Sequence, residues 1–201
     1  GRDNQEFRVT RWTDSGQVDG SWSYDIDTYN GYGGDNDFGR TITPHEDGTF
    51  LVGGTGFRYP GQHYFAMARA NQNGLEATYK YSFGENEFVH SSLDLPDGKV
   101  LLIGVSDDDL TISRHQYDGQ LDSSFGTSGS VKPPVLNSGN TGYRATLAAD
   151  GQIIITGYAH NGSNQDIAVV RMSYDGVLDT SFDSDGILSI PFDGGNNDYG
   201  Y

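Results

Sequence analysis

The chain has no cysteine, which excludes a disulfide framework and thiolate metal sites. Positive charge is scarce. Twelve Lys and Arg stand against 28 Asp and Glu, a net charge of −16. No basic stripe is present, so nucleic acid is excluded as a partner, and an anionic membrane surface repels such a chain. No apolar run approaches the roughly 20 residues of a membrane helix, so no membrane insertion is expected. Helical periodicity is absent too. Hydrophobic residues make up only 34%, and there are two tryptophans. What is plentiful is glycine, at 29 residues, with 13 tyrosines and 10 phenylalanines. That mixture suits short strands joined by tight turns. Regularly spaced apolar runs argue against the disorder that an acidic, polar composition would otherwise suggest.

Self-similarity decides the architecture. Four apolar runs end in a lone arginine: Phe7 to Arg11, Phe65 to Arg69, Leu110 to Arg114 and Ile167 to Arg171. Five residues after each arginine comes a glycine, Gly16, Gly74, Gly119 and Gly176. An acid follows, then an aromatic three residues on: Asp19/Trp22, Glu76/Tyr79, Asp122/Phe125 and Asp179/Phe182. Between these blocks, a glycine-and-acid stretch leads into an aromatic at Phe38, Phe88, Tyr143 and Tyr199. Three of those segments run to Asp47-Gly48, Asp97-Gly98 and Asp150-Gly151, each followed by an apolar strand ending in Gly53, Gly104 or Gly157. Apolar runs flanking Asp-Gly predict a hairpin.

One unit therefore reads as strand, hairpin, strand, loop, the arginine strand, turn and a last short strand. Four antiparallel strands in about 50 residues predict an all-β chain of β-propeller blades. A β-solenoid is the alternative, but each unit here contains its own hairpins. The boundaries expected are a partial blade over 1–34, blades over 35–84, 85–139 and 140–195, and the start of another at 196–201. The chain thus opens on a third strand and ends as a first strand begins. About three and a half repeats leave the ring incomplete, which predicts a slice of a longer protein or a chain completed by partner copies.

Two segments carry a family resemblance. Tyr174-Asp175-Gly176-Val177-Leu178-Asp179-Thr180-Ser181-Phe182 and Leu95-Pro96-Asp97-Gly98-Lys99-Val100-Leu101-Leu102-Ile103-Gly104 resemble the delta-60 repeat family. The resemblance covers nearly the whole chain and is close in the last two units. The first two depart from it, with Trp22 in the place of Phe182 and one residue fewer before Glu76. It implies propeller-like blades in a large exported bacterial protein, hence an extracellular or cell-surface location. It brings no catalytic motif.

Strand alternation puts each arginine on the face of its apolar neighbours, as in Phe65/Met67/Arg69. A guanidinium so placed needs a partner. The acid past the turn is the candidate, giving structural ion pairs Arg11–Asp19, Arg69–Glu76, Arg114–Asp122 and Arg171–Asp179. A polyanion site lined by the four arginines is the other reading, but a residue present in every repeat usually serves the repeat. No cofactor is expected. Calcium has weak candidates in Asp35-Asn36-Asp37, Asp107-Asp108-Asp109, Asn196-Asn197-Asp198 and, above all, Asp183 and Asp185 ahead of Gly186. Asn140-Thr141-Gly142, read as the same repeat position as Asp35-Asn36-Asp37, argues against a dedicated metal site there. The histidines His45, His63, His90, His115 and His160 lack the spacing of a zinc site.

No nucleophile elbow, phosphate loop or zinc-protease helix appears. Twenty-eight acids offer so many pairs that none marks a glycosidase. Loop aromatics Tyr24, Tyr29, Tyr32, Phe57 and Tyr59 suit stacking on sugars, anchoring a partner, or packing between blades. The expectation is a non-enzymatic binding or scaffold module, such as an adhesin or part of an extracellular assembly. Its partners would be a protein or carbohydrate ligand, or further copies of itself. A glycan-active propeller enzyme and a self-assembling subunit are the alternatives.

Overall fold

A computed structural model describes residues 7–24, 37–58, 61–135, 139, 141–192 and 195–200. Tyr29, Tyr32, Asp35, Asn36, Tyr59 and Asn140 lie outside the described residues. The described chain is all-β and forms four antiparallel sheets in chain order. β1 (Phe7–Trp12) and β2 (Val18–Tyr24) form a two-stranded sheet. The second sheet runs β3 (Phe38–Pro44), β4 (Phe50–Arg58), β5 (Gln62–Asn71) and β6 (Gly74–Tyr81). The third runs β7 (Phe88–Asp94), β8 (Val100–Ser106), β9 (Asp109–His115) and β10 (Ser130–Val131). The fourth runs β11 (Thr141–Leu147), β12 (Ile153–His160), β13 (Gln165–Met172) and β14 (Ile187–Ile190). Each four-stranded sheet is a meander, and no sheet closes on itself among the described residues. These are propeller blades in an incomplete ring.

Strand alternation builds the core between sheets. On β5, Phe65 and Met67 pack with Val89, Val100 and Leu102 of the third sheet, while Ala66, Ala68 and Ala70 pack with Phe7 of the first. On β9, Leu110 and Ile112 join Ile153, Ile155 and Val170 of the fourth sheet. The first strands of successive sheets meet: β3 touches β7, and β7 touches β11. They form the inner edge of the array.

One detail recurs in every blade. The first strand carries a β-bulge at Arg40, His90 and Tyr143, which the ladder skips. The bulge brings a carbonyl over a glycine of the second strand. A Cβ on Gly54 would lie 2.0 Å from Phe38 O, on Gly104 2.0 Å from Phe88 O, and on Gly157 1.7 Å from Thr141 O. The glycine that matches Gly104 and Gly157 is therefore Gly54, not Gly53 as the sequence suggested. Likewise Thr141, not Tyr143, matches Phe38 and Phe88. The aromatic at 143 is the bulge residue itself, so its ring does not mark the position held by Phe38 and Phe88. Asn140-Thr141-Gly142 accordingly does not share the position of Asp35-Asn36-Asp37, so its residues say nothing about that acidic site.

The last strands also differ. In the first two units, Asp19 and Glu76 lie on strands β2 and β6. In the last two, Asp122 and Asp179 open a turn instead. Asp122 N donates to Arg114 O at 2.8 Å and Asp179 N to Arg171 O at 3.0 Å. A loop with positive φ at Gly126, Ser128 and Gly129, or at Asp183, Ser184 and Gly186, follows. The first two units lack these residues, so their chain continues straight into the outer strand. No strand is assigned at 195–200, yet Asp198 N reaches Gln165 O at 2.6 Å and Gly200 N reaches Gly157 O at 3.2 Å.

Candidate functional site

The recurring arginines sit at the outer end of each third strand. All four meet the acid of their own unit. Arg11 Nε is 2.8 Å from Asp19, Arg69 Nη1 3.1 Å from Glu76, Arg114 Nε 2.8 Å from Asp122, and Arg171 Nε 3.2 Å from Asp179. The pairs differ in their surroundings. Arg11 and Asp19 have side chains 44% and 45% exposed, whereas Arg114 and Asp122 are 1% and 4% exposed.

The difference comes from the following unit. Arg114 donates to Tyr174 O at 2.6 Å and lies over the Tyr174 ring at 5.2 Å. Arg69 lies over Tyr117 at 5.6 Å. Each tyrosine hydroxyl also donates to the Asp-Gly hairpin turn of the preceding unit, Tyr117 to Asp47 and Tyr174 to Asp97. Two further contacts cross the same seams. Tyr81 hydroxyl donates to Gly119 O at 2.9 Å, and Gly126 N donates to Asp175 O at 3.0 Å. Sequence reasoning paired Arg with acid but missed the tyrosine, although it stands three residues after Arg114 and Arg171 alike.

Electrostatics follow from these bonds. Burial pushes Asp122 up, but bonds from Ser124 and Lys99 and the Arg114 charge outweigh it, holding this carboxyl well below the usual range. Hydrogen bonds from Thr49 and Tyr117 hold Asp47 down to about 2. Burial, then the bond to Asp97, raises Tyr174. Burial takes Tyr81 up to about 12 and His115 down to about 4. Glu87 has no exposed surface and accepts Phe65 N at 3.2 Å, Gly84 N at 2.7 Å, Ser106 Oγ at 3.2 Å and also Phe83 N. Burial dominates those bonds and raises its pKa. Glu87 thus ties the second sheet to the third, a role its sequence neighbourhood did not announce.

Asp107, Asp108, Asp183 and Asp185 are turn residues in the structure. Asp185 accepts Ile187 N at 2.9 Å, and Asp183 takes φ 45°. Asp107 and Asp108, at φ 56° and 63°, form the β8–β9 hairpin turn, and Asp107 pairs with Lys132 at 3.1 Å. Among the described residues, no three His, Cys, Asp or Glu side chains gather as a metal site would require.

One open groove of about 700 Å³ lies between the first two sheets. Arg11, Ile42, Asp47, Phe50, Gln72 and Asn73 are among its walls. Gln72 stands where the later units have Tyr117 and Tyr174, so a glutamine takes the place of the ring that covers Arg69 and Arg114. Phe57, expected in a loop, lies on β4 and packs edge-on against His63 at 5.0 Å.

No curated protein matches the chain. Residues 148–182 match a family described as a β-propeller domain of unknown function, DUF5122. The matched stretch runs from the Asp150-Gly151 hairpin through β12 and β13 to the Arg171–Asp179 pair and Phe182, so this part of the chain is similar to a β-propeller repeat.

Proposed function

We propose that the chain is a non-enzymatic binding or scaffold module of the delta-60 kind, carried by an exported bacterial surface protein. The observation behind this reading is where the perturbed side chains are used. Asp122, Tyr174, Tyr81, His115 and Glu87 have shifted titration, and each lies in a seam between sheets, bonded to or packed against protein groups; Asp47, which borders the groove, is held by Thr49 and Tyr117. A catalytic site keeps such groups facing substrate. The groove beside Arg11 and Ile42 has instead the mixed character of a recognition surface, with an exposed Ile42 amid amide and carboxylate side chains. Such a surface suits a carbohydrate or protein ligand.

Binding and turnover separate this reading from a glycan-active enzyme. The purified protein is screened by calorimetry against neutral and acidic glycans, with release of reducing ends followed in parallel. Saturable binding without turnover is expected, weakened by Ile42→Asp. Hydrolysis of any glycan, abolished by replacing one carboxylate, would overturn the proposal.

A further inference from the structure

The inner edge holds a second feature, which adjoins the groove at Val9, Thr10 and Ile42. Six of the described cations have acid partners: the four recurring arginines, Lys99 and Lys132. Arg40 and Arg144 have none among the described residues, in a chain of net charge −16. Arg40 is the bulge residue of β3 and lies over the Phe38 ring at 5.7 Å. Arg144 directly follows the bulge residue Tyr143 on β11 and donates to its carbonyl at 3.0 Å. Between them stands His90, the bulge residue of β7, with its ring 5.0 Å from Tyr143. Both guanidinium groups are exposed, and a depression of about 310 Å³ opens beside Arg40 between β1 and β3. Arg8 lines the same depression and donates to Ser21 Oγ at 3.3 Å.

Three inner strands thus present two guanidinium groups and an imidazole, and no carboxylate among the described residues pairs with them. Arg40 and His90 are the bulge residues of the touching strands β3 and β7, and Arg144 follows the bulge of β11, which touches β7 in turn; after burial, the two guanidinium charges lower the pKa of His90. Leaving like charges together costs free energy in the empty site, and an anion removes that cost. Guanidinium forks match the two oxygens of a carboxylate, sulfate or phosphate. The rings of Tyr143 and Tyr158, 5.7 Å apart, add flat apolar surface beside them.

We propose that the inner edge at Arg40, His90 and Arg144 binds one oxyanion group of a compact organic ligand. Size follows from charge: the rest of this acidic surface repels a long polyanion, so a single anionic group on a small ring is the fitting occupant. The site does not depend on what the groove binds.

The test is calorimetry with glucuronate, glucose 6-sulfate, glucose 6-phosphate and neutral glucose. The carboxylate, sulfate and phosphate arms show which oxyanion is preferred. Dissociation constants on the order of 1 mM are expected for at least one of them. Glucose should bind at least about tenfold more weakly, as two charge-assisted bonds are lost. Arg40→Gln with Arg144→Gln should weaken oxyanion binding by at least about tenfold at an unchanged thermal midpoint. Lys132→Gln removes one charge at the outer loop and should leave binding as in the parent. The proposal falls if no oxyanion binds, if glucose binds equally, or if the double variant binds like the parent.

Discussion

Replacing Arg114 with alanine tests the recurring ion pair where it is most enclosed. The guanidinium pairs with Asp122 at 2.8 Å and donates to Tyr174 O at 2.6 Å and Ser124 Oγ at 3.1 Å. It also lies 4.9 Å from the Phe125 ring centre. Removing one partner of a buried pair costs about 3–5 kcal/mol. Lys99 stays 3.0 Å from Asp122 and keeps that carboxylate partnered. The expected loss is therefore at the lower end, about 3 kcal/mol. Arg11 offers the control, because its pair has the same 2.8 Å length but is nearly half exposed. An exposed pair contributes about 0–1 kcal/mol. Urea unfolding followed by far-ultraviolet circular dichroism should rank the losses Arg11→Ala, then Arg69→Ala and Arg171→Ala, then Arg114→Ala. A loss of about 3 kcal/mol raises the unfolded-to-folded ratio roughly 150-fold. Arg114→Lys should recover little, since one ammonium cannot replace both the Asp122 and Tyr174 bonds. Equal losses at Arg11 and Arg114 would show that cover by the next unit is not what strengthens the pair.

Two further outcomes are expected. His115 is buried with its pKa down at about 4, below the unfolded value, so its contribution is full above pH 6.5 and lost as pH falls through 4. That is about 3 kcal/mol at 1.36 kcal/mol per unit, and His115→Gln should flatten the fall of urea midpoint between pH 7 and 4; an unchanged slope would assign the fall elsewhere. Gly104→Ala should cost more than about 2 kcal/mol, because its Cβ meets the Phe88 carbonyl, whereas Gly48→Ala, with open space at φ 83°, should cost about 1 kcal/mol. Similar thermal midpoints for the two glycine variants would count against the bulge-and-glycine device.

The repeat, its four strands and the Arg-to-acid pairing were legible because each rests on local signals. Alternation placed Phe65, Met67 and Arg69 on one face, and Asp-Gly pairs marked hairpin turns that the structure forms with Gly48, Gly98 and Gly151 at positive φ. What escaped were effects of distant partners. The match of Gly54 to Gly104 depends on a bulge that no single strand reveals. The outer turn at Asp122 looks like the strand at Glu76 in sequence, and only the Gly126 and Gly129 loop after it separates them. The inner-edge cluster joins residues from three sheets, and Glu87 gathers its donors from three separate segments. Such groupings leave no periodic trace along the chain.

The seam between the first two sheets shows how one residue divides locking from binding. Gln72 takes the place of Tyr117 and Tyr174 and borders the open groove together with Arg11. Gln72→Tyr should lay a ring over Arg11, as Tyr117 lies over Arg69 at 5.6 Å. An added cation–π contact at a partly exposed site contributes about 0.5–1 kcal/mol, and burial of the ring adds to it. The variant should therefore raise the urea midpoint while weakening any ligand that occupies the groove. Stabilisation with full ligand binding would place recognition elsewhere on the molecule. Unchanged stability would mean that the shorter turn at Asn71 to Gly74 holds residue 72 away from Arg11, so that the open seam is fixed by backbone and not by the side chain alone.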